Sequence, residues 1–213
     1  MEYIDNHVFF AGKNFKLEGV LSSPKEESSR PGVIICHPHP AYGGDMNNNV
    51  VLGIKEALEK EGFVILRFNF RGVNLSEGSY GEGKGEIEDV IAALSFMKIQ
   101  PRVNNNRLFL SGYSFGAWVG LKAALNVKDL KAVAGISPPF GMFNFEFLEN
   151  ISIPIFLMGG DQDNFCSLEE FERIFNKISS PKKRIILPRA DHFYWGREEE
   201  VGEKVREFFC CYL

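Results

Sequence analysis

The chain has 213 residues, of which 45% are hydrophobic, 13% aromatic and 24% charged, and its net charge is −4. This length and composition indicate a globular protein with room for one large core. No apolar run reaches the roughly 18 residues that span a bilayer, and the first residues lack the basic and apolar regions of a signal peptide. Because acidic residues outnumber basic ones, 28 to 24, we expect no nucleic-acid partner.

The four cysteines, Cys36, Cys166, Cys210 and Cys211, include no Cys-x-x-Cys pair. This spacing indicates neither a disulfide framework nor a zinc site. A reducing, cytoplasmic compartment is the simplest expectation.

The first two β-type runs, His7–Phe10 and Phe15–Leu21, flank a four-residue turn and predict a hairpin. The polar segment Ser22–Pro31 carries two prolines and is predicted to be a loop. Six further apolar runs have strand length: Val33–Cys36, Val64–Phe68, Leu108–Leu110, Ala132–Ile136, Ile153–Met158 and Arg184–Leu187.

Between most of these runs, apolar residues recur at helical spacing. The predicted helices are Val50–Lys60, Glu86–Met97, Ala117–Leu125, Leu168–Ile178 and Glu198–Cys211. Strands that alternate with helices predict an α/β protein with a parallel sheet, and near-continuous apolar strands predict that helices cover both faces. Because no repeat or flexible linker interrupts the pattern, we expect one domain over residues 1–213.

Ser114 stands between Gly112 and Gly116 in the stretch GYSFG, where a predicted strand gives way to a predicted helix. In this context Gly-x-Ser-x-Gly is typical of a nucleophile elbow, in which strand and helix nearly touch and bulky neighbours are excluded. Such a turn exposes the serine hydroxyl and leaves the N–H of Phe115 at a helix N-terminus, where an oxyanion is stabilised. The alternative is a glycine-rich turn with an unused serine, because short motifs give false positives.

A nucleophilic serine needs a base that is held by an acid. On this architecture the order along the chain is serine, acid, histidine. His192 is the one histidine that follows Ser114, and it lies just beyond the predicted strand Arg184–Leu187. His192 is therefore the candidate base.

Three aspartates are candidates for the acid. Asp161 and Asp163 follow a predicted strand and should lie on the same edge of the sheet as the serine, whereas Asp191 adjoins His192. Adjacent side chains seldom face each other well, which disfavours Asp191. We expect Asp163 to be the acid, with Asp161 as the second choice and the unused aspartate as a turn or cap residue.

These residues resemble the α/β-hydrolase superfamily, above all its compact, lidless, esterase-like branch related to dienelactone hydrolases. The resemblance covers nearly the whole chain. It implies a mostly parallel sheet with an N-terminal hairpin, helices on both faces and a minimal lid or none, and a catalytic triad of Ser114, His192 and Asp163. The most specific stretches are HPHPAYGG at 37–44, RFNFRG at 67–72, the elbow, the turn around Asp163 and DHF at 191–193.

The resemblance also implies that the 37–44 loop supplies a second oxyanion donor beside Phe115. Two prolines in the loop have no N–H, so the donor must be His39, Ala41 or Tyr42, and we favour His39. One position departs from the family pattern, because Asn74 stands where glycine is usual. Asparagine tolerates a left-handed backbone, so the turn can persist.

His37 and His39 can also be read as a metal-binding pair at a strand end. A catalytic metal needs further ligands, and only His7 and His192 remain as histidines. We therefore expect no metal and no cofactor.

The most aromatic stretch, Ser137–Phe147, follows a strand at the place where larger members of the superfamily insert a lid. We expect Phe140 and Phe143, together with Tyr42, to form an apolar wall for an acyl or alkyl group. The alternative is that these rings pack in the core or form a contact in a homo-oligomer.

The sequence predicts a serine hydrolase that acts on small carboxylic esters or thioesters through an acyl-enzyme. The alternatives are a non-catalytic ligand-binding module on the same fold, a metallohydrolase, and an acyltransferase or peptidase with the same triad.

Overall fold

A computed structural model describes all residues, 1–213. The predicted N-terminal hairpin is present, and β1 (Tyr3–Ala11) pairs antiparallel with β2 (Lys16–Pro24). The loop predicted at Ser22–Pro31 is wrong at both ends, because β2 extends to Pro24 and β3 begins at Arg30. Pro31 fits inside a strand because the pairing register shifts beside it, so its missing N–H interrupts no ladder.

The remaining elements lie where apolar periodicity predicts them, with ends that differ by a few residues. The strands are β3 (Arg30–Cys36), β4 (Val64–Phe68), β5 (Val103–Tyr113), β6 (Leu130–Ile136), β7 (Ile155–Gly160) and β8 (Lys182–Leu187). The helices are α1 (Asn49–Glu59), α2 (Lys84–Lys98), α3 (Phe115–Ala124), α4 (Leu168–Lys177) and α5 (Glu198–Cys210).

The eight strands form one sheet in the order β1-β2-β4-β3-β5-β6-β7-β8. The hairpin joins β4 in antiparallel fashion, and every pairing from β4 to β8 is parallel. This topology confirms the predicted fold class.

Helices cover both faces of the sheet and enclose two apolar cores. One core contains side chains of α1 and α5, and the other contains side chains of α2, α3 and α4. Strands β3, β4 and β7 are buried along almost their whole length, because the side chains on their two faces belong to the two cores. No helix is both long enough and apolar enough to cross a membrane.

The parallel arrangement brings the carboxyl ends of β3, β5, β7 and β8 to one edge of the sheet. The 37–44 loop, Ser114, Asp163 and His192 all follow these ends directly. Polar groups that are far apart in sequence therefore meet at this edge.

Candidate active site

Ser114 occupies a strained turn between β5 and α3. Its backbone has φ 55° and ψ −120°, a region that residues with a side chain rarely adopt. The turn is held because Ser114 N donates to the carbonyl of Ile136 at 2.8 Å and Ser114 O accepts from Ala117 N at 2.9 Å. A Cβ at Gly112 would collide with the backbone carbonyl of Gly116, and a Cβ at Gly116 would collide with that of Cys36. Both contacts confirm the predicted need for glycine on the two sides of the serine.

The hydroxyl of Ser114 lies 2.9 Å from Nε2 of His192. On the other side of the ring, Nδ1 lies 2.8 Å from Oδ2 and 2.9 Å from Oδ1 of Asp163. All three side chains are largely buried. The structure thus joins the three residues that the sequence analysis singled out in one continuous hydrogen-bonded chain.

The carboxylate of Asp163 is built to stay ionised. Burial would raise its pKa, but the hydrogen bonds from His192 and Ser137 and the backbone N–H of Phe165 hold the pKa below its usual value. Its Oδ1 also accepts from the N–H of Cys166 at 3.0 Å. An ionised acceptor at Nδ1 requires that nitrogen to carry the proton, which leaves Nε2 free to accept from the serine hydroxyl.

The other two candidate aspartates, Asp161 and Asp191, each stabilise a turn. Asp161 accepts a hydrogen bond from the N–H of Arg189 at 2.6 Å, and its side chain is exposed. Asp191 accepts from the N–H groups of Phe193 and Tyr194 at 2.9 and 3.1 Å. These bonds shape the loop that carries His192.

Two buried tyrosines that the sequence analysis did not single out support the same loop. The hydroxyl of Tyr113 donates to the carbonyl of His192 at 2.6 Å. The hydroxyl of Tyr194 lies 2.7 Å from Oγ of Ser137, which itself hydrogen-bonds Asp163. Tyr113 stands inside the GYSFG motif, yet only the tertiary structure shows that its side chain reaches the His192 loop.

The backbone N–H groups of Phe115 and His39, two residues that line the cleft over Ser114, form no hydrogen bond within the protein. In the 37–44 loop, Tyr42, Gly43 and Gly44 donate to carbonyls of the loop, and Ala41 donates to the His39 ring. Of the three candidate donors, His39 is therefore the one whose N–H has no partner within the protein.

His37 is fully buried, and both of its ring nitrogens are occupied. Nδ1 donates to the carbonyl of Pro38 at 2.7 Å, and Nε2 accepts from the N–H of Phe70 at 3.0 Å. Burial lowers the pKa of His37 to about 4, so the ring is neutral at pH 7. His37 therefore connects the 37–44 loop to the segment after β4, and its nitrogens are not available as ligands.

A cleft of about 470 Å³ opens over the serine, and its walls are mainly apolar. Tyr42 and Phe143 line it as predicted, and Phe143 stacks on Trp118 with ring centroids 4.3 Å apart. Phe140 lies elsewhere: it is buried and packs on Phe145 and Phe171. The prediction that Phe140 lines the cleft is wrong, because the chain turns after Pro139 and directs Phe140 into the core.

The cleft carries neither Lys and Arg nor Asp and Glu side chains on its wall. Its mouth is instead surrounded by exposed apolar side chains, of which Met142, Phe165 and Phe193 also line the cleft. The wall therefore suits an uncharged, apolar group.

The model of the dienelactone hydrolase family matches residues 17–204 of this chain. This chain belongs to that family. The match includes the elbow, the Asp163 turn and His192, so it covers every residue of the hydrogen-bonded chain described above.

Solved structures show that this family member has close structural relatives. An alpha-beta serine hydrolase homologue from Coxiella burnetii is 34% identical, with a TM-score of 0.85, over 98% of this chain and 97% of that one. XC6422 from Xanthomonas campestris, a serine hydrolase without a lid, is 26% identical, with a TM-score of 0.86, over 98% and 95% of the two chains. Protein RP471 of Rickettsia prowazekii is 32% identical over 94% of this chain and 87% of its own length.

This dienelactone hydrolase family member keeps its turn at the position that departs from the family pattern. Asn74 has φ 47°, the left-handed conformation that the usual glycine would supply. Its side-chain amide donates to Asp45 at 3.3 Å. Asn74 thus adopts the left-handed backbone that was expected at this position.

Proposed function

We propose that this α/β-hydrolase is a serine esterase that acts on small carboxylic esters or thioesters. The observation that carries the proposal is the chain from the Ser114 hydroxyl through His192 to Asp163, with bonds of 2.9 and 2.8 Å. These distances are those that a nucleophile and its base require.

In this proposal Nε2 of His192 takes the proton of the Ser114 hydroxyl as the oxygen attacks the ester carbonyl. Asp163 holds the ring in the Nδ1–H tautomer and stabilises the imidazolium that forms. The protonated Nε2 then donates to the leaving alcohol or thiol, which departs and leaves an acyl-serine. Water, deprotonated by the same nitrogen, attacks the acyl-serine and releases the acid.

The negative charge that develops on the carbonyl oxygen needs donors that are already in place. The free N–H groups of Phe115 and His39 support this role, because neither is used within the protein. The Phe115 N–H also lies in the first turn of α3, where the helix dipole favours an anion.

The cleft wall supports an uncharged substrate. It has no cation to pair with a substrate carboxylate. Carboxylates lie near two residues of the wall, Asp163 and Asp191 near Tyr113 and Glu86 near His39. A carboxylate on the acyl group would be desolvated and repelled, whereas an alkyl or aryl group would pack on Phe143 and Tyr42.

The test is intact-mass measurement after incubation with a fluorophosphonate. We expect one adduct on the wild-type chain and none on Ser114→Ala, and the matched variant Ser95→Ala, on the exposed face of α2, should still react. Release of free acid from a p-nitrophenyl ester would then separate hydrolysis from acyl transfer to another acceptor. A folded wild-type chain that takes no adduct would contradict the proposal and favour a ligand-binding module.

A further inference from the structure

We infer that the His39 side chain, hydrogen-bonded to Tyr80, is a positioning device that holds the two oxyanion donors in place. The inference rests on the proposed function and assigns a role to two side chains that lie outside the triad. His39 would act through its ring as well as through its backbone N–H.

The first step concerns the 37–44 loop, which approaches the serine through its backbone. Nδ1 of His39 accepts a hydrogen bond from the N–H of Ala41 at 3.1 Å and so caps the short 3-10 helix Pro40–Tyr42. The same helix is closed by Gly43, which has a left-handed φ of 79°. The ring of His39 therefore determines how the residues next to its own N–H are folded.

The second step follows from the chemistry of a neutral imidazole. Because Nδ1 accepts from Ala41, the ring proton must be on Nε2, which lies 3.1 Å from the hydroxyl oxygen of Tyr80. Nε2 thus donates to Tyr80, and both bonds exist together only while the ring is uncharged. Burial lowers the pKa of His39, against an opposing effect of Glu86, which favours this uncharged state.

The third step is the support behind Tyr80. The carboxylate of Glu86, which is fully buried, accepts from the N–H of Gly81 at 2.8 Å and of Gly83 at 2.7 Å. The segment that carries Tyr80 is therefore tied to the first turn of α2. Tyr80 is itself exposed, but the residue that follows it is held by the first turn of a helix, which limits where the Tyr80 hydroxyl can lie.

The fourth step links His39 to the other donor. The His39 ring packs on the Phe115 ring with centroids 4.7 Å apart, and Tyr80 contacts the same ring at 6.0 Å. Phe115 is fully buried at the start of α3. The side chains of His39, Tyr80 and Phe115 thus fix the distance between the two N–H groups that would face the oxyanion.

The experiment is a double-mutant cycle on ester hydrolysis with Tyr80→Phe and His39→Asn. Tyr80→Phe removes one hydroxyl, and His39→Asn keeps a side-chain acceptor for Ala41 but removes the bond to Tyr80. Removal of a whole oxyanion donor costs about 100- to 1,000-fold in kcat, so misplacing one should cost roughly 10-fold. We expect this loss in each single variant, with KM within about twofold, and no further loss in the double variant, because both changes break the same bond.

A second readout separates positioning from a merely structural role. The inhibition constant of a trifluoromethyl ketone, which forms an oxyanion on Ser114, should rise by the same factor as kcat falls, while KM for the neutral ester stays within about twofold. Tyr212→Phe, two residues beyond the end of α5, is the matched control and should change neither value.

Three outcomes would overturn the inference. Tyr80→Phe could retain the wild-type kcat, the losses in the double variant could multiply, or the losses could follow the melting temperature with an unchanged inhibition constant.

Fluorophosphonate labelling distinguishes these three outcomes from a failure of the proposed function. A wild-type chain that takes no adduct overturns both, whereas a chain that is labelled while Tyr80→Phe keeps its kcat overturns only the positioning role.

Discussion

Gly116, in the first turn of α3, lies against the carbonyl of Cys36 at the end of β3, and a Cβ on this glycine would overlap that oxygen. It would also lie 2.5 Å from the carbonyl oxygen of His37. The contact brings the 37–44 loop and the Ser114 turn together, so the spacing between helix and sheet decides whether a site can form.

We expect Gly116→Ala to destabilise the protein by about 1–3 kcal/mol or more, because the added methyl meets backbone that cannot move independently. Gly120→Ala is the matched control, one helical turn on, where the nearest atoms are 3.7 Å from the new Cβ. It should raise the free energy of unfolding by about 0.5–1 kcal/mol, because alanine is the better helix former. Urea unfolding of both variants checks this, and equal effects would contradict the steric account.

Asp163→Asn should lower kcat by roughly 10⁴-fold, because an amide in place of the carboxylate favours the wrong tautomer of His192. Asp161→Asn is the control, since Asn can still accept from the N–H of Arg189 at that exposed position. It should retain kcat within about twofold. Steady-state hydrolysis of a p-nitrophenyl ester measures both. A larger loss of kcat in Asp161→Asn than in Asp163→Asn would contradict the prediction and would assign the role of the acid to Asp161.

Tyr113→Phe should remove the hydrogen bond to the carbonyl of His192 and leave that buried acceptor without its partner. We expect a loss of about 1–3 kcal/mol in the free energy of unfolding and a fall in kcat, because the loop that holds the base is released. Chemical denaturation and ester hydrolysis check the two effects. An unchanged kcat with lowered stability would show that the loop does not depend on this bond for its position.

Met142→Lys should shift the preference of the cleft toward anionic esters, since it adds a cation to a wall that has none. Met142 is half exposed at the mouth, so the substitution need not bury the charge. We expect kcat/KM for a p-nitrophenyl succinate monoester, relative to the neutral butyrate, to rise roughly 5- to 10-fold at low salt and less at high salt. Met142→Gln is the neutral control, and an equal rise in both variants would rule out a charge effect.

The buried His37 predicts a pH dependence of stability. Its pKa is about 4 in the folded protein because of burial, and about 6.5 when the chain is unfolded. Between these two pH values the unfolded state binds more protons than the folded state. The stability that neutral His37 contributes is therefore fully present above pH 6.5 and is lost as the pH falls toward 4. The slope approaches at most about 1.4 kcal/mol per pH unit.

Urea unfolding from pH 7.5 to 4.5 measures this slope. His37→Gln keeps an acceptor for the N–H of Phe70 but cannot be protonated, so its stability should depend less steeply on pH than that of the wild-type chain. Parallel slopes for the two proteins would show that other groups dominate the acid sensitivity.

Local patterns in the sequence determined the order of strands and helices. The apolar run Val64–Phe68 matches β4 residue for residue, because burial on both faces leaves Arg67 as its one polar residue. The run Leu108–Leu110 identified only the centre of β5, which starts at Val103. The first half of β5 is polar because it is exposed and pairs with β3 at one residue only, Arg30.

The sequence by itself predicted that Ser114 stands in a strained elbow, because the glycines two residues before and after it mark a turn where strand and helix nearly touch. It also indicated the family and its fold. Only the tertiary structure shows that Asp163 and not Asp161 contacts His192, and that Phe143 and not Phe140 lines the cleft. It also shows that the N–H of His39 is unpaired, whereas those of Ala41 and Tyr42 are bonded within the loop. Each choice depends on which way a side chain or N–H points after a turn, and that direction is fixed by atoms as distant in sequence as Ser114 and His192, 78 residues apart.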